Sequence, residues 1–274
     1  MHRKFQSIFL FLGSLSLGSI AESVELDVQA FLQKHAGPIY QDVNIRNEVV
    51  VLGTDQCSVR YDLIKPILNS YEGKFSVLDL GAAQGFFSFS IANDYPKSFC
   101  VMIDANTSYY GYHGNLLYDI CLLNKDLNNF SYLNRAITLS DLRFLNKQEH
   151  FDVIIAFLVV HLMDDTLQAQ IKIIETLLSL GDNVLLEVAS DVGVPLSSYV
   201  EFLSTKLDCE YIGEVQRHKD LSCPRGNVPC CCTGQIFWFK SKNGNSDTEM
   251  KEPTLGMKKE TFQQLNGVYP PSAN

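Results

Sequence analysis

Two glycines and one aspartate, close together in the chain, are the residues best placed to do chemistry. Gly81 and Gly85 follow the apolar run Ser76–Leu80, which contains Asp79. A buried strand that turns on glycine into a helix makes a ligand site at its carboxyl end, because glycine adopts backbone conformations closed to other residues. The new helix offers unpaired N–H groups, and the carboxylate of Asp79 favours a cationic ligand over a phosphate.

The spacing of these glycines distinguishes between kinds of nucleotide site. Dinucleotide-binding turns carry G-x-G-x-x-G, and phosphate-binding loops carry G-x-x-x-x-G-K-[ST]. Gly81-x-x-x-Gly85 fits neither pattern, and no lysine follows. The stretch 79–85, D-L-G-A-A-Q-G, instead resembles the first motif of the class I (Rossmann-like) S-adenosylmethionine-dependent methyltransferases, D/E-x-G-x-G-x-G, with Ala83 at the middle glycine. A glycine turn in another α/β domain is the alternative.

A second strand, predicted from Ser98 to Ile103, ends at Asp104. An acidic residue at this point of a nucleotide-binding unit hydrogen-bonds the ribose hydroxyls. The resemblance implies this role for Asp104 toward the ribose of S-adenosylmethionine. The alternative is that Asp104 caps the helix that follows.

The resemblance implies a further cofactor contact after the third strand, which is predicted from Phe130 to Ile137. The turn that follows it contains Asp141, at the position where the family often contacts adenine with an acidic residue. A surface turn is the alternative for Asp141.

The fourth predicted strand, Phe151–Phe157, is continuously apolar enough to be buried on both faces. The pattern F-D-V-I-I-A-x-x-V-x-H-L over residues 151–162 resembles the fourth motif of the same family. This resemblance implies that Phe157 borders the cofactor and that His161 lies near the reactive methyl group. Imidazole titrates near neutrality and suits a base there, whereas a structural histidine in the core is the alternative.

The elements that position these residues alternate between strand and helix, which indicates an α/β fold. A helix predicted from Ser58 to Tyr71 carries Arg60, which lies either near the site or on an exposed face. Two final strands, near residues 211–217 and 235–240, form a closing hairpin that the dehydrogenase fold lacks. We therefore expect a three-layer Rossmann-like methyltransferase fold, with a seven-stranded, mostly parallel sheet and one antiparallel strand.

The length of 274 residues allows one domain with appendages. We expect a signal-peptide-like or membrane-anchor segment at 1–21, an N-terminal helical extension at 22–57, the methyltransferase domain at 58–241 and a flexible polar tail at 242–274.

The amino terminus has the layout of a secretory signal peptide. Basic residues 2–4 precede the apolar stretch 5–20, and Ser19-Ile20-Ala21 matches a cleavage site. An exported or membrane-anchored protein is the expectation, with membrane association through residues 5–20. A cytoplasmic protein is the alternative.

Four of the eight cysteines, Cys223, Cys230, Cys231 and Cys232, fall in the loop before the last strand. The paired C-x-x-C spacing of zinc sites is absent, so no metal is predicted. If the chain is exported, these cysteines are best interpreted as disulfide-bonded. If the chain stays in the cytosol, they are best interpreted as free thiols.

The net charge of −9 makes nucleic acid an unlikely partner. The N/D-P-P-Y signature of enzymes that methylate base amino groups is missing at 156–159. The prediction is a methyltransferase that uses S-adenosylmethionine and acts on an oxygen of a small molecule or glycan. Two alternatives stay open: an NAD(P)-dependent oxidoreductase, and an exported, catalytically inactive binding protein that keeps the methyltransferase fold.

Overall fold

The computed structural model describes residues 28–35, 39–55, 57–105, 116–189, 198, 201–203, 208–216, 233–240 and 257–265. The signal-like segment 1–21 and the four loop cysteines lie outside these ranges. Within them, no helix has the length and apolarity needed to cross a membrane. The chain divides into two compact units, Met1–Gly37 and Pro38–Asn274. In the first unit, residues 28–34 form helix α1.

The second unit alternates strands and helices in the predicted order. Its elements are β1 (Val43–Ile45), β2 (Glu48–Val51), α2 (Cys57–Asn69), β3 (Ser76–Leu80), α3 (Phe86–Asp94), β4 (Phe99–Asp104), α4 (Leu116–Leu123), β5 (Phe130–Asn134), α5 (Leu139–Gln148), β6 (Phe151–Phe157), α6 (Val160–Met163), α7 (Leu167–Leu180), β7 (Gly181–Ala189), β8 (Cys209–Gln216), β9 (Thr233–Lys240) and α8 (Lys259–Gln264).

Seven strands form one sheet in the order β5-β4-β3-β6-β7-β9-β8. Strands β3 to β7 pair in parallel, and β9 runs antiparallel to both of its neighbours. This confirms the predicted sheet with one antiparallel strand. The strand order reverses between β3 and β6, and ligands of open α/β sheets bind at the carboxyl ends beside such a reversal.

Side chains of the central strands alternate between two helical layers. In β3, Leu78 and Leu80 pack in the cluster that contains residues of α5 and α7. Asp79 points the other way and accepts a hydrogen bond from Ser88 of α3. All five residues of β3 are buried, so Asp79 is a charged group in the interior of the fold.

The segment 257–265 differs from the flexible polar tail expected for residues 242–274. It forms α8, whose Phe262 is fully buried and is followed by Leu265 at 3% exposure. The guanidinium of Arg135 donates to the carbonyl oxygen of Leu265 at 2.9 Å. The prediction failed here because a few apolar residues in a polar segment are enough to dock a short helix once a tertiary surface is present.

The extension expected to be helical over residues 22–57 is helical at α1, but β1 and β2 form an antiparallel hairpin. The hairpin turns at Arg46 and Asn47, whose φ angles are 52° and 67°. Two successive positive φ angles give the twist that suits a two-residue hairpin turn. The hairpin belongs to the second compact unit, Pro38–Asn274.

Candidate functional site

The residues that follow β3 form a tight turn at the carboxyl edge of the sheet, as predicted. Gly81 and Gly85 have φ angles of 73° and 75°, in the left-handed region that glycine enters without strain. The N–H groups of Gly81 and Ala82 donate to the carbonyl of Ile103 at 2.8 and 3.2 Å. These two bonds tie the turn to the end of β4.

The two glycines make room for the protein's own side chains. A Cβ atom on Gly81 would lie 2.6 Å from Cγ2 of Val159, and one on Gly85 would lie 2.7 Å from Cε2 of Phe89. The segment after β6 therefore packs directly against the turn after β3. At Gly85 the side chain of Phe89 fills the space that a Cβ atom would need.

Ala83 stands where the motif that this turn resembles has its middle glycine. Its φ angle is 51°, a left-handed conformation that costs a residue with a Cβ atom about 1–2 kcal/mol. Alanine therefore adopts this conformation under strain. Strain of this kind persists where the surrounding structure determines the backbone.

The carboxylate of Asp104 is attached to the same turn. Its Oδ2 atom accepts the N–H of Ala83 at 2.9 Å, and the residue is half-buried at the carboxyl end of β4. A carboxylate offers about four acceptor positions, so Asp104 can accept hydrogen bonds from ligand hydroxyls as well. The predicted contact with ribose therefore fits the geometry, and it stays a prediction.

Asp79 lies beneath the turn rather than on its surface. The residue is 2% exposed, and Ser88 Oγ donates to its Oδ2 at 2.7 Å. Burial, together with the nearby charge of Asp104, raises the pKa of Asp79 to about 7 although the hydrogen bond from Ser88 opposes the shift. Asp79 therefore lies below the turn and carries a negative charge only when the pH exceeds its raised pKa.

Phe157 is the last residue of β6, which pairs in parallel with β3. The ring of Phe157 meets that of Phe87 edge-on, with centroids 5.0 Å apart. Leu158 then takes a φ angle of 55°, a strained conformation for a bulky residue. His161 follows on α6, half-buried and two residues beyond the Val159 that packs on the turn.

Asp141 has a local structural role in α5. Its Oδ2 atom accepts the N–H and the hydroxyl of Thr138 at 2.9 and 2.7 Å, and its Oδ1 atom accepts from Arg135 at 2.7 Å. Together with the bond from the Asp141 N–H to the Thr138 hydroxyl, this is a capping box. One oxygen of Asp141 therefore caps α5 and the other binds Arg135, and the predicted adenine contact stays a prediction.

A buried ion cluster beside the site was not predicted. The guanidinium of Arg60 donates to both carboxylate oxygens of Glu187 at 2.6 and 2.9 Å and lies 2.8 Å from Asp55. All three residues are at most 2% exposed. Burial lowers the pKa of Arg60, but Glu187 and Asp55 outweigh burial and raise it above its ordinary value. The exposed-face alternative for Arg60 is therefore wrong.

Glu187 carried the one sequence signal that could have revealed this cluster, since it is a charged residue in the apolar run 183–188. Its partner Arg60 lies 127 residues away in the chain, and no local pattern relates the two. Among the residues that the structure describes, no group of three His, Cys, Asp or Glu side chains could hold a metal ion.

No protein-family model matches the sequence, and no curated protein sequence matches it. Solved structures do match the fold. The bifunctional kinase-methyltransferase WbdD superposes with a TM-score of 0.50 at 21% identity, over 69% of this chain and 40% of WbdD. The chain thus spans less than half of the length of WbdD. The N-terminal domain of EvdMO1, solved in the presence of SAH and D-fucose, superposes with a TM-score of 0.53 at 11% identity, over 80% of this chain and 96% of that domain.

Proposed function

We propose, from a fold that is that of the class I S-adenosylmethionine-dependent methyltransferases, that this chain binds S-adenosylmethionine and transfers its methyl group. The observation that carries the proposal is the turn 81–85, held to Asp104 at the reversal of strand order. The half-buried carboxylate of Asp104 can accept hydrogen bonds from ribose hydroxyls, and its negative charge repels phosphate.

The bound cofactor supplies an electrophilic methyl group on a sulfonium, so the protein has mainly to align the acceptor and exclude water. Asp104 holds the ribose, and Asp79 favours a cation once it has lost its proton. Phe157 presents an apolar surface at the end of β6. As the acceptor oxygen takes the methyl group, its proton passes to a base, for which His161 is the candidate.

The proposed acceptor is an oxygen of a small molecule or glycan. The N-terminal domain of EvdMO1 was solved with D-fucose present, so this fold is compatible with a sugar ligand. The absence of the N/D-P-P-Y signature at residues 156–159 points away from base amino groups. An NAD(P)-dependent oxidoreductase is disfavoured by the antiparallel β9, which the dehydrogenase fold lacks.

Calorimetric titration of the full chain with S-adenosylmethionine, its demethylated product and NAD tests this proposal. We expect the first two to bind, and Asp104→Ala to weaken both by about 10- to 100-fold because hydrogen bonds to a charged group are lost. Asp104→Asn keeps an acceptor for the Ala83 N–H and separates the effect of charge from that of turn shape. Asp152→Asn, at the opposite edge of the sheet, is the matched control.

Binding of NAD alone would move the chain to the oxidoreductases. If the folded chain binds none of the three ligands, the inactive binding protein would be favoured.

We also propose that residues 1–21 direct export or anchoring. The mass of the mature chain recovered from its native host tests this, and an intact Met1 in a cytosolic fraction would refute it.

A further inference from the structure

Helix α3 begins at the proposed cofactor site without a cap of its own. Its N-cap residue is Gly85, which has no side chain to accept a hydrogen bond. The first N–H groups of a helix need acceptors from elsewhere. The first of them, the N–H of Phe86, donates to the side chain of Gln41, which lies just before β1 and 45 residues away in the chain. The same side chain also accepts the N–H of Gln84 in the turn before the helix.

Gln41 and Gln84 form a reciprocal clamp between the hairpin and the turn. The Oε1 atom of Gln41 accepts the N–H groups of Gln84 and Phe86 at 3.1 and 3.4 Å, and the N–H of Gln41 donates to Oε1 of Gln84 at 2.7 Å. Both glutamine residues are 6% exposed. Buried hydrogen bonds of this kind, which replace water, fix one backbone conformation.

The backbone that carries Gln41 is itself held. The Asp42 carboxylate accepts the N–H of Gly53 at 2.7 Å, and a Cβ atom on Gly53 would lie 2.2 Å from the carbonyl carbon of Gln41. The N–H of Asp55 donates to the carbonyl of Tyr40 at 2.9 Å. Asp55 then pairs with Arg60, so the base of the hairpin is also fastened to the buried ion cluster.

Two side chains, those of Asp104 and Gln41, thus accept hydrogen bonds from the turn and differ in their proposed roles. Asp104 holds the N–H of Ala83 and is also the proposed partner of the ribose, so it must serve turn and ligand together. Gln41 accepts the N–H groups of Gln84 and Phe86 and is buried. If the turn loses Gln41, it samples other conformations, and the apparent affinity falls with the fraction of molecules that are competent to bind.

We propose that Gln41 is a positioning residue of the S-adenosylmethionine site, which holds the turn 81–85 in its binding shape from the N-terminal hairpin. The inference rests on the proposed function. It assigns to residues 39–55 a part in cofactor binding that their place outside the first motif does not suggest.

The test compares Gln41→Met, which removes the acceptor at nearly constant volume, with Gln41→Glu, which keeps an acceptor oxygen. The matched control is Ser90→Ala, because Ser90 Oγ accepts from Asn44 Nδ2 at 3.0 Å and so joins the same hairpin to the same helix away from the turn. Each full-length variant is titrated with S-adenosylmethionine at pH 8, and hydrogen exchange of the backbone amides is followed without cofactor.

We expect Gln41→Met to weaken S-adenosylmethionine binding about tenfold and to speed exchange at the amides of Gln84 and Phe86 by a similar factor. Gln41→Glu should bind within about threefold of the wild type, and Ser90→Ala should leave both readouts unchanged. If Gln41→Met does not fold, Gln84→Met removes the other half of the clamp and carries the same expectation.

Wild-type affinity in Gln41→Met, equal weakening in Ser90→Ala, or loss of binding in Gln41→Glu would each overturn the inference. A wild-type chain that does not bind S-adenosylmethionine would overturn the proposed function itself. Exchange at Gln84 and Phe86 is measured without cofactor, so it shows separately whether the clamp holds the turn.

Discussion

The two edges of the parallel sheet each hold an aspartate that accepts a backbone N–H, and they use it differently. At the amino edge, Asp152 accepts the N–H and the hydroxyl of Ser76 at 2.6 and 2.8 Å. At the carboxyl edge, Asp104 accepts the N–H of Ala83. The same residue type therefore fastens a strand start at one edge and a strained turn at the other.

The amino edge is a closed polar network. The Tyr71 hydroxyl donates to the carbonyl of Asp152 at 3.0 Å, Asn183 donates to that hydroxyl, and Trp238 Nε1 donates to Asn183 at 2.8 Å. The carboxyl edge gathers left-handed residues, Ala83 and Leu158 among them, with buried charge. Left-handed residues, Glu72 and Gly73, also precede β3 at the amino edge. The two edges therefore differ in the Arg60 ion cluster and in the proposed cofactor site, which both lie at the carboxyl edge.

The largest effect we expect concerns Asp79, whose pKa is raised from 3.8 to about 7, chiefly by burial. Between pH 4 and 7 the folded protein keeps a proton that the unfolded chain has released. This stabilisation is complete below about pH 4 and is lost as the pH rises through 7, by about 4 kcal/mol in the free energy of unfolding. Urea unfolding across this range should show the fall in the wild type and not in Asp79→Asn.

The control for this prediction is Ser88→Ala. It removes the hydrogen bond that favours the carboxylate of Asp79, so the upper end of the fall should move to higher pH. A stability difference between the wild type and Asp79→Asn that is the same at pH 5 and pH 8 would contradict the assignment.

Strand β7 has one acidic residue near each edge of the sheet, Asp182 at the amino edge and Glu187 toward the carboxyl edge. Substituting each one compares how much an ion pair stabilises the fold at the two edges. Glu187→Gln should lower the free energy of unfolding by about 3 kcal/mol, because Arg60 loses one of its two charge partners in a buried site. Asp182, which pairs with His150 at the amino edge, is 47% exposed in its side chain. Asp182→Asn should cost about 0–1 kcal/mol. Equal losses in chemical unfolding would remove the distinction between the edges.

Two histidines provide the matching comparison for activity. If His161 is the base, His161→Gln should lower the turnover of the proposed methyl transfer about a hundredfold, or about 2.7 kcal/mol of activation free energy. S-adenosylmethionine binding should stay unchanged. His150→Gln, at the amino edge, should leave turnover unaltered. Full activity in His161→Gln would mean that this residue has a structural role. The turnover assay uses a methyl acceptor identified by screening.

Alanine substitutions at two glycines test how tightly the carboxyl edge is packed. Gly73 and Gly81 have φ angles of 83° and 73°, so alanine is strained at both positions. A Cβ atom on Gly73 meets nothing within 4 Å, whereas one on Gly81 meets Val159. Gly81→Ala should therefore destabilise the fold by about 2 kcal/mol more than Gly73→Ala does. Thermal unfolding of both variants measures the difference, and equal losses would show that Val159 moves aside freely.

Much of the fold could be predicted because its signals are local. The apolar run before Gly81, the strand ending at Asp104 and the closing hairpin each lie within a few consecutive residues. Hydrophobic periodicity and glycine position report such elements directly. The site residues near strand ends followed from the same rule, since parallel strands bring their carboxyl ends to one edge.

The residues that could not be predicted act through partners far away in the chain. Arg60 and Glu187 are 127 residues apart, and Gln41 and Gln84 are 43 apart. A polar residue has the same appearance in the sequence whether it faces water or a buried partner. Phe262 was missed for a related reason, because a short helix gains its stability from the surface on which it docks.

The strand order also has a consequence for synthesis. Strand β8 precedes β9 in the chain but lies outside it in the sheet, so β8 has no partner until residues 233–240 have been made. About fifty residues separate the end of β7 at Ala189 from that of β9 at Lys240. At ribosomal rates of about 5–20 residues per second, the nascent chain presents the unpaired edge of β7 for about 3–10 seconds, an interval in which a chaperone would find its substrate.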